Sequence, residues 1–424
     1  MRKPLAFVVA GIAMLTVGLP SLNAVPSQPG PIDVRGEING APFRIRVPAV
    51  WNGTLLVYQR AYVDKADHPG EVDNLVANLL SSNPSLRDAL LAQGYALAGS
   101  GRTGWTVEEG LADNVAIVSY FKENIIQPDF VIGWGECLGG VIALESAERS
   151  GGAFDGFLAV CASTSGTPRL VDHGLDLRLA YDITFGIPPS WGTPGDVRDD
   201  VDYETEVFPT VLAQAGDPAN FGRFEFIRLV TGIPGSEINP PPGMYPGALI
   251  QLPFLGAFEY EAELERRAGG PISQNTDHRY VLTGAEKHYL EGLGVDAEPF
   301  LEAMNARRNI TAPPASRNYV EHYAEFSGLV KHPVMTLHSG LDQVYPVSSE
   351  SVYRKKLKSV GRDHLLVQQF TSGLLWCGVT PQQEFVAIRA LDEWVRTGTP
   401  PAPSAFPATL GFMPDYVPPD WPQP

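Results

Sequence analysis

Asp129-Phe130-Val131-Ile132-Gly133-Trp134-Gly135-Glu136-Cys137-Leu138-Gly139-Gly140-Val141-Ile142-Ala143-Leu144 is the stretch on which the fold turns. Asp129 to Trp134 is a short apolar run of the kind that forms a buried strand. From Val141 to Arg149 the spacing is helical. Between them the chain must reverse from strand to helix within a few residues. Such a turn is crowded, so small residues have to flank its central position, and Gly135 and Gly139 do so around Cys137. The central side chain of such a turn projects at the helix N-terminus, on the C-terminal edge of the sheet.

The same grammar repeats outward. Thr54 to Tyr58, Tyr95 to Gly99 and Gly156 to Cys161 read as further buried strands, and Thr106 to Glu123 as a helix. Alternating strands and helices imply βαβ units and a mostly parallel sheet, an α/β fold. The pattern breaks over 166–324, which is rich in Pro, Gly and acidic residues and contains Asn239-Pro240-Pro241-Pro242-Gly243. It resumes with a strand at Pro333 to His338, a helix near Ser349 to Val360, a strand at His364 to Phe370, and a helix from Pro381 to Arg396. The expected organisation is a core of residues 40–165 and 325–398, a cap or lid inserted over 166–324, and an extended or disordered Pro-rich tail over 399–424.

Residues 1–24 read as a secretory signal peptide. Arg2 and Lys3 precede an apolar run from Leu5 to Leu19, with small residues at Ser21 and Ala24. That run is shorter than the about 20 residues a membrane span needs. After its removal no membrane span is expected. The net charge is −17, without a basic cluster. Nucleic-acid partners are therefore excluded, because phosphate binding relies on concentrated Lys and Arg. No Cys/His spacing suits a metal, and no cofactor motif is present. Three cysteines, Cys137, Cys161 and Cys377, suggest one disulfide and one free thiol in an exported chain. A Cys161–Cys377 bridge is expected, since each residue ends a strand on the same sheet edge. A bridge from Cys137 to either partner is the rival.

Trp51-Asn52-Gly53-Thr54, Gly94-Tyr95-Ala96-Leu97-Ala98, the Cys137 turn, Leu337-His338-Ser339-Gly340-Leu341-Asp342, and Glu384 to Gly398 together resemble secreted bacterial α/β hydrolases of the esterase and lipase-like type. The resemblance implies the α/β-hydrolase fold and a nucleophile–acid–histidine order along the chain. It assigns Cys137 as the nucleophile, where a serine normally stands, and Asp342 as the acid. Where relatives carry histidine, in a loop like Gly-His-Cys-x-Phe-Thr, this chain has Trp376-Cys377-Gly378-Val379-Thr380. Indole has no basic nitrogen and cannot accept a proton. His364 lies beyond Asp342 but opens the strand, roughly 20 Å from the site at about 3.3 Å per residue. Where relatives carry His-Gly for the oxyanion loop, the chain has Arg60-Ala61; the other oxyanion donor is the N–H of Leu138.

A thiol needs less activation than a hydroxyl, and a helix N-terminus is expected to lower its pKa, with the neighbouring Glu136 opposing. His173 is the first cap histidine that could approach the pocket, and His338 is expected to pack at its strand end. Two functions follow. One is a Cys-dependent hydrolase or acyltransferase acting on small esters, thioesters or lactones, with a non-standard or missing base. The other is a non-catalytic relative that binds a small acyl or aromatic ligand in the retained pocket.

Overall fold

The structure, a computed structural model, describes residues 31–63, 80–235, 252–374 and 376–421. The signal-peptide segment, His68, Asn239 to Gly243 and Leu375 lie outside the described residues.

Eight strands form one sheet: β1 (Ile32–Ile38), β2 (Ala41–Val47), β3 (Thr54–Gln59), β4 (Ala96–Ser100), β5 (Phe130–Glu136), β6 (Gly156–Val160), β7 (Val334–Leu341) and β8 (Leu366–Leu374). Their order across the sheet is β1-β2-β4-β3-β5-β6-β7-β8. The β1–β2 and β2–β4 pairs are antiparallel; every other pair is parallel. β5 therefore lies inside the sheet, with β3 and β6 on either side.

Side-chain alternation splits each inner strand between two cores. Leu55, Val57 and Val131 pack with Ile117, Phe121 and Val141 on one face. Those three belong to α2 (Val107–Asn124) and α3 (Leu138–Arg149). Leu56, Tyr58, Ile132 and Trp134 pack with Leu86, Leu90, Ile388 and Leu391 on the other. These helical residues come from α1 (Pro84–Ala92) and α9 (Pro381–Thr397). Both helices start on strong local signals. Asn83 accepts from Ser85 and Leu86 N–H ahead of Pro84, and Thr380 forms a capping box with Gln383 ahead of Pro381.

The chain between β6 and β7 builds a third core. It includes α4 (Thr167–Phe185), α5 (Phe221–Thr231), α6 (Glu261–Ala268) and α7 (Pro314–His322). Tyr181, Trp191, Phe224, Phe226, Phe254 and Phe258 are buried together there. Arg178, fully buried in α4, holds the segment by donating to Glu261, Ser273 and two backbone carbonyls, those of Pro194 and Ala257. A charge that deep persists only when its donors are paired, as these are. The helix α8 (Ser349–Ser359) follows β7.

Two expectations are corrected. The tail over 399–421 is not extended or disordered: Phe406 and Phe412 are buried in the core, and Met413 N–H donates to the Phe370 carbonyl at 2.8 Å. Apolar residues spaced through a Pro-rich segment gave it a surface to pack on. The strand expected to open at His364 begins at Leu366, because Asp363–Leu365 forms a single 3₁₀ turn first.

Candidate functional site

Cys137 sits between β5 and α3 with φ 56° and ψ −122°. A non-glycine residue in that region is strained, at about 1–3 kcal/mol, and is held there by its surroundings. Its N–H donates to the Val160 carbonyl at 2.9 Å, and its carbonyl accepts from Gly140 and Val141. A side chain at Gly135 or Gly139 would run into the Gln59 carbonyl of β3. The two glycines thus permit the close backbone approach that forces the Cys137 side chain outward.

Cys137 is 2 % exposed. It is the free cysteine, because Cys161 and Cys377 are disulfide-bonded, as expected from their strand ends. The Tyr345 hydroxyl lies 3.2 Å from its sulfur. Tyr260, from the segment between β6 and β7, also hydrogen-bonds the sulfur and packs against Tyr62 and Trp105, with ring centroids 4.5 and 5.4 Å away. The N–H groups of Leu138 and Tyr62 point at the sulfur as well. The N–H at the sulfur from this loop is that of Tyr62, next to the Arg60-Ala61 pair, and Ala61 lines the cavity beside Cys137.

Burial pushes the Cys137 thiol up to about 11, against the pull of the Tyr345 hydroxyl and the two N–H groups; the Asp342 carboxylate adds to the rise. The lowered thiol expected from the helix N-terminus is thus overturned. Desolvation of the thiolate in an aromatic enclosure outweighs the helix end.

Asp342 is fully buried beyond β7. Its Oδ1 accepts from the N–H groups of Val344 and Tyr345, at 3.0 and 2.9 Å, and its Oδ2 from Cys377 N–H at 3.0 Å. Burial raises its pKa, with His338 and these three donors opposing. His338 stands 3.8 Å from Asp342, inside β7 rather than at its end. Its Nδ1 meets Glu350 at 3.0 Å and its Nε2 meets the Tyr345 carbonyl at 2.9 Å. Burial alone would lower its pKa; the Glu350 carboxylate, with Asp342 and the Tyr345 carbonyl, more than offsets that. Both ring nitrogens are thus engaged away from the sulfur.

Trp376 shares a cavity of about 280 Å³ with Cys137, Ala61, Ser82, Glu136 and Glu384. Its indole Nε1 is buried without a hydrogen-bond partner. Among the described residues, no histidine lines this cavity. His173 is buried in α4, where its Nε2 meets the Thr231 carbonyl at 2.8 Å. It lines a separate cleft of about 970 Å³. Among the described residues, no cluster of His, Cys, Asp or Glu could hold a metal ion.

Sequence reasoning missed Tyr62, Tyr260 and Tyr345 beside the sulfur and Glu384 in the cavity wall. Tyr345 had a signal, three residues past the acid. Tyr260 had none, because its place at the sulfur depends on how a distant segment packs.

No protein-family model matches the chain. An o-phthalyl amidase from Xanthobacter agilis is 30% identical over 132 residues, 30% of this chain and 26% of that protein. The match thus spans about a quarter of that relative's length. Among solved structures, an esterase from Aspergillus oryzae is 14% identical, with 88% of this chain and 80% of that one covered and a TM-score of 0.44. Candida antarctica lipase A is 14% identical, covering 88% and 78%, at 0.41. A proline iminopeptidase from Mycobacterium smegmatis is 12% identical, covering 87% and 100%, at 0.39. With its sheet order and its positive-φ turn at Cys137, the chain has the α/β-hydrolase fold.

Proposed function

We propose that this protein is an exported hydrolase of small carboxylic esters, thioesters, lactones or amides, with Cys137 as the acyl-accepting nucleophile. One observation carries the reading: a free cysteine at the positive-φ turn, with the Leu138 and Tyr62 N–H groups converging on it at the edge of a cavity. Two backbone donors at one point suit the oxyanion that forms when a nucleophile adds to a carbonyl. The amidase likeness adds amides to the esters that the sequence suggests. Asp342, with its carboxylate oxygens taken by backbone donors, acts as a positioning group for the loops of Tyr345 and Trp376.

A second reading is favoured by a different observation. The thiol is pushed up to about 11 and Trp376, which has no basic nitrogen, lines the cavity with it, which suits a non-catalytic protein that binds a small acyl or aromatic ligand. The two readings separate in one experiment. The full chain is incubated with p-nitrophenyl acetate and its mass recorded intact, with peptide mapping. The hydrolase reading expects one acetyl group on Cys137, absent from Cys137→Ala. Equal labelling of both proteins, or none of either, would overturn it in favour of the binding protein.

A further inference from the structure

The carboxyl groups of Glu136 and Glu384 meet inside the cavity that holds Cys137. Glu136 ends β5, one residue before the nucleophile, and Glu384 lies in the first turn of α9. Both line the cavity with Cys137 and Trp376, and they hydrogen-bond each other. Two carboxylates in such contact do not both ionise readily, so the pair retains a proton where a lone glutamate would have none. The Ser82 hydroxyl donates to the Glu136 carboxylate, 2.6 and 2.7 Å from its two oxygens. That makes Glu136 the anionic member and Glu384 the acid. Glu384 is 4 % exposed, and its Oε1 is buried without a hydrogen-bond partner. The Tyr58 phenol from β3 also faces the pair, with Arg60 beside that phenol. Burial and then Glu136 hold the Glu384 carboxyl well above the usual range, while burial raises Glu136 and Ser82 and Glu384 restrain it.

Paired carboxyls with separated protonation can give and take one proton in turn. We propose that the Glu136–Glu384 pair is the acid–base group for acyl transfer at Cys137, making the proton transfers that an imidazole would otherwise make. The proposal rests on Cys137 being the nucleophile. In the first step the pair takes the thiol proton as the sulfur bonds to the carbonyl carbon. The carbonyl carbon's bond to the leaving oxygen or nitrogen then breaks, and that atom takes a proton from the pair. In the second step the pair takes a proton from water as the water oxygen bonds to the thioester carbon. The C–S bond breaks and the sulfur recovers its proton. Ester or amide and water become acid and alcohol or amine, and no other reactant is consumed.

The test follows acetylation and deacetylation of Cys137 by p-nitrophenyl acetate in the full chain, across pH 4–10, in the wild type, Glu384→Gln, Glu136→Gln and Ser82→Ala. In either glutamine variant, acetylation of Cys137 should slow near neutral pH, where the pair would take the thiol proton, and persist at the alkaline end of the range, where the thiolate forms without it and the activated leaving group needs no acid. Deacetylation should slow about 100-fold, at the low end of general-base assistance. Ser82→Ala keeps both carboxyls and removes an exposed hydroxyl, so it remains informative if a glutamine variant fails to fold. Because the Ser82 hydrogen bond lowers Glu136, its loss should move the deacetylation profile to higher pH. Acetylation of Cys137 with wild-type deacetylation rates and pH profiles in all folded variants would overturn the pair and leave the nucleophile standing. No acetyl-Cys137 in the wild type would overturn the nucleophile and the pair's role with it.

Discussion

The Tyr345 hydroxyl lies 3.2 Å from the Cys137 sulfur, while the Tyr345 N–H donates to Asp342 and its carbonyl meets His338. One residue thus links nucleophile and acid through its own covalent frame. Tyr345→Phe removes a hydroxyl that lowers the thiol's pKa. A hydrogen bond of about 1 kcal/mol corresponds to roughly fivefold in thiolate population. Alkylation of Cys137 by iodoacetamide at pH 9 should slow by about that factor. An unchanged or faster rate would show that the hydroxyl does not stabilise the thiolate.

The wild-type thiol carries its own pH signature. With its pKa pushed up to about 11, the thiolate fraction should grow about tenfold per pH unit through the neutral and mildly alkaline range. An alkylation rate that levels off near pH 8.5, the ordinary cysteine value, would contradict the burial argument.

Trp376→His combined with Cys137→Ser would place imidazole and hydroxyl in the shared cavity. General-base assistance is typically worth 10² to 10⁴-fold, so esterase activity should exceed that of Cys137→Ser alone. Recovery should fall towards the low end, because Asp342 already accepts from three backbone N–H groups. A double variant no faster than the single one would place Trp376 outside the histidine position.

Glu145 is buried in α3 and pushed up to about 7, by burial first, with Arg149 only partly compensating and Glu148 adding to the rise. Since the folded pKa is raised, the protein binds more protons than the unfolded chain above the ordinary glutamate range. Stability should therefore be highest below about pH 4.5 for this group and fall as pH rises to 7. Glu145→Gln should remove that slope and stabilise the protein at pH 8 by on the order of 2–3 kcal/mol. Thermal melts at pH 5 and pH 8 test this; a larger gain at pH 5 would reverse the sign.

The Cys161–Cys377 bridge closes a loop of 216 residues. Chain entropy puts its loss at about 5 kcal/mol for so long a loop. The double change Cys161→Ala with Cys377→Ala should lower the denaturant midpoint strongly, and chiefly by freeing the unfolded chain. A stability loss below about 1 kcal/mol would mean that the native contacts around the bridge relax on its removal.

The strand, turn and helix around Cys137 were legible in the sequence because their causes are local. An apolar run, two small residues and a helical repeat specify them within about twenty positions, and the alternation of such units specifies a parallel sheet. The Cys161–Cys377 pairing was legible for a related reason: both residues follow strands that end on one edge. The thiol's environment was not legible. The N-terminus of α3 is visible in the sequence and argues for a lowered pKa. Burial of the sulfur, beside Tyr260 and Tyr345 from 123 and 208 residues further along, reverses the direction even though the Tyr345 hydroxyl pulls the other way. The same holds for Glu136 and Glu384, which carry no mutual signal until β5 and the start of α9 meet. That the Tyr62 N–H reaches the sulfur was not legible either, because a backbone N–H is aimed by the path of the loop, which residue type does not specify. Local sterics and periodicity decided where the chain turns; long-range burial decided what the sulfur at that turn can do.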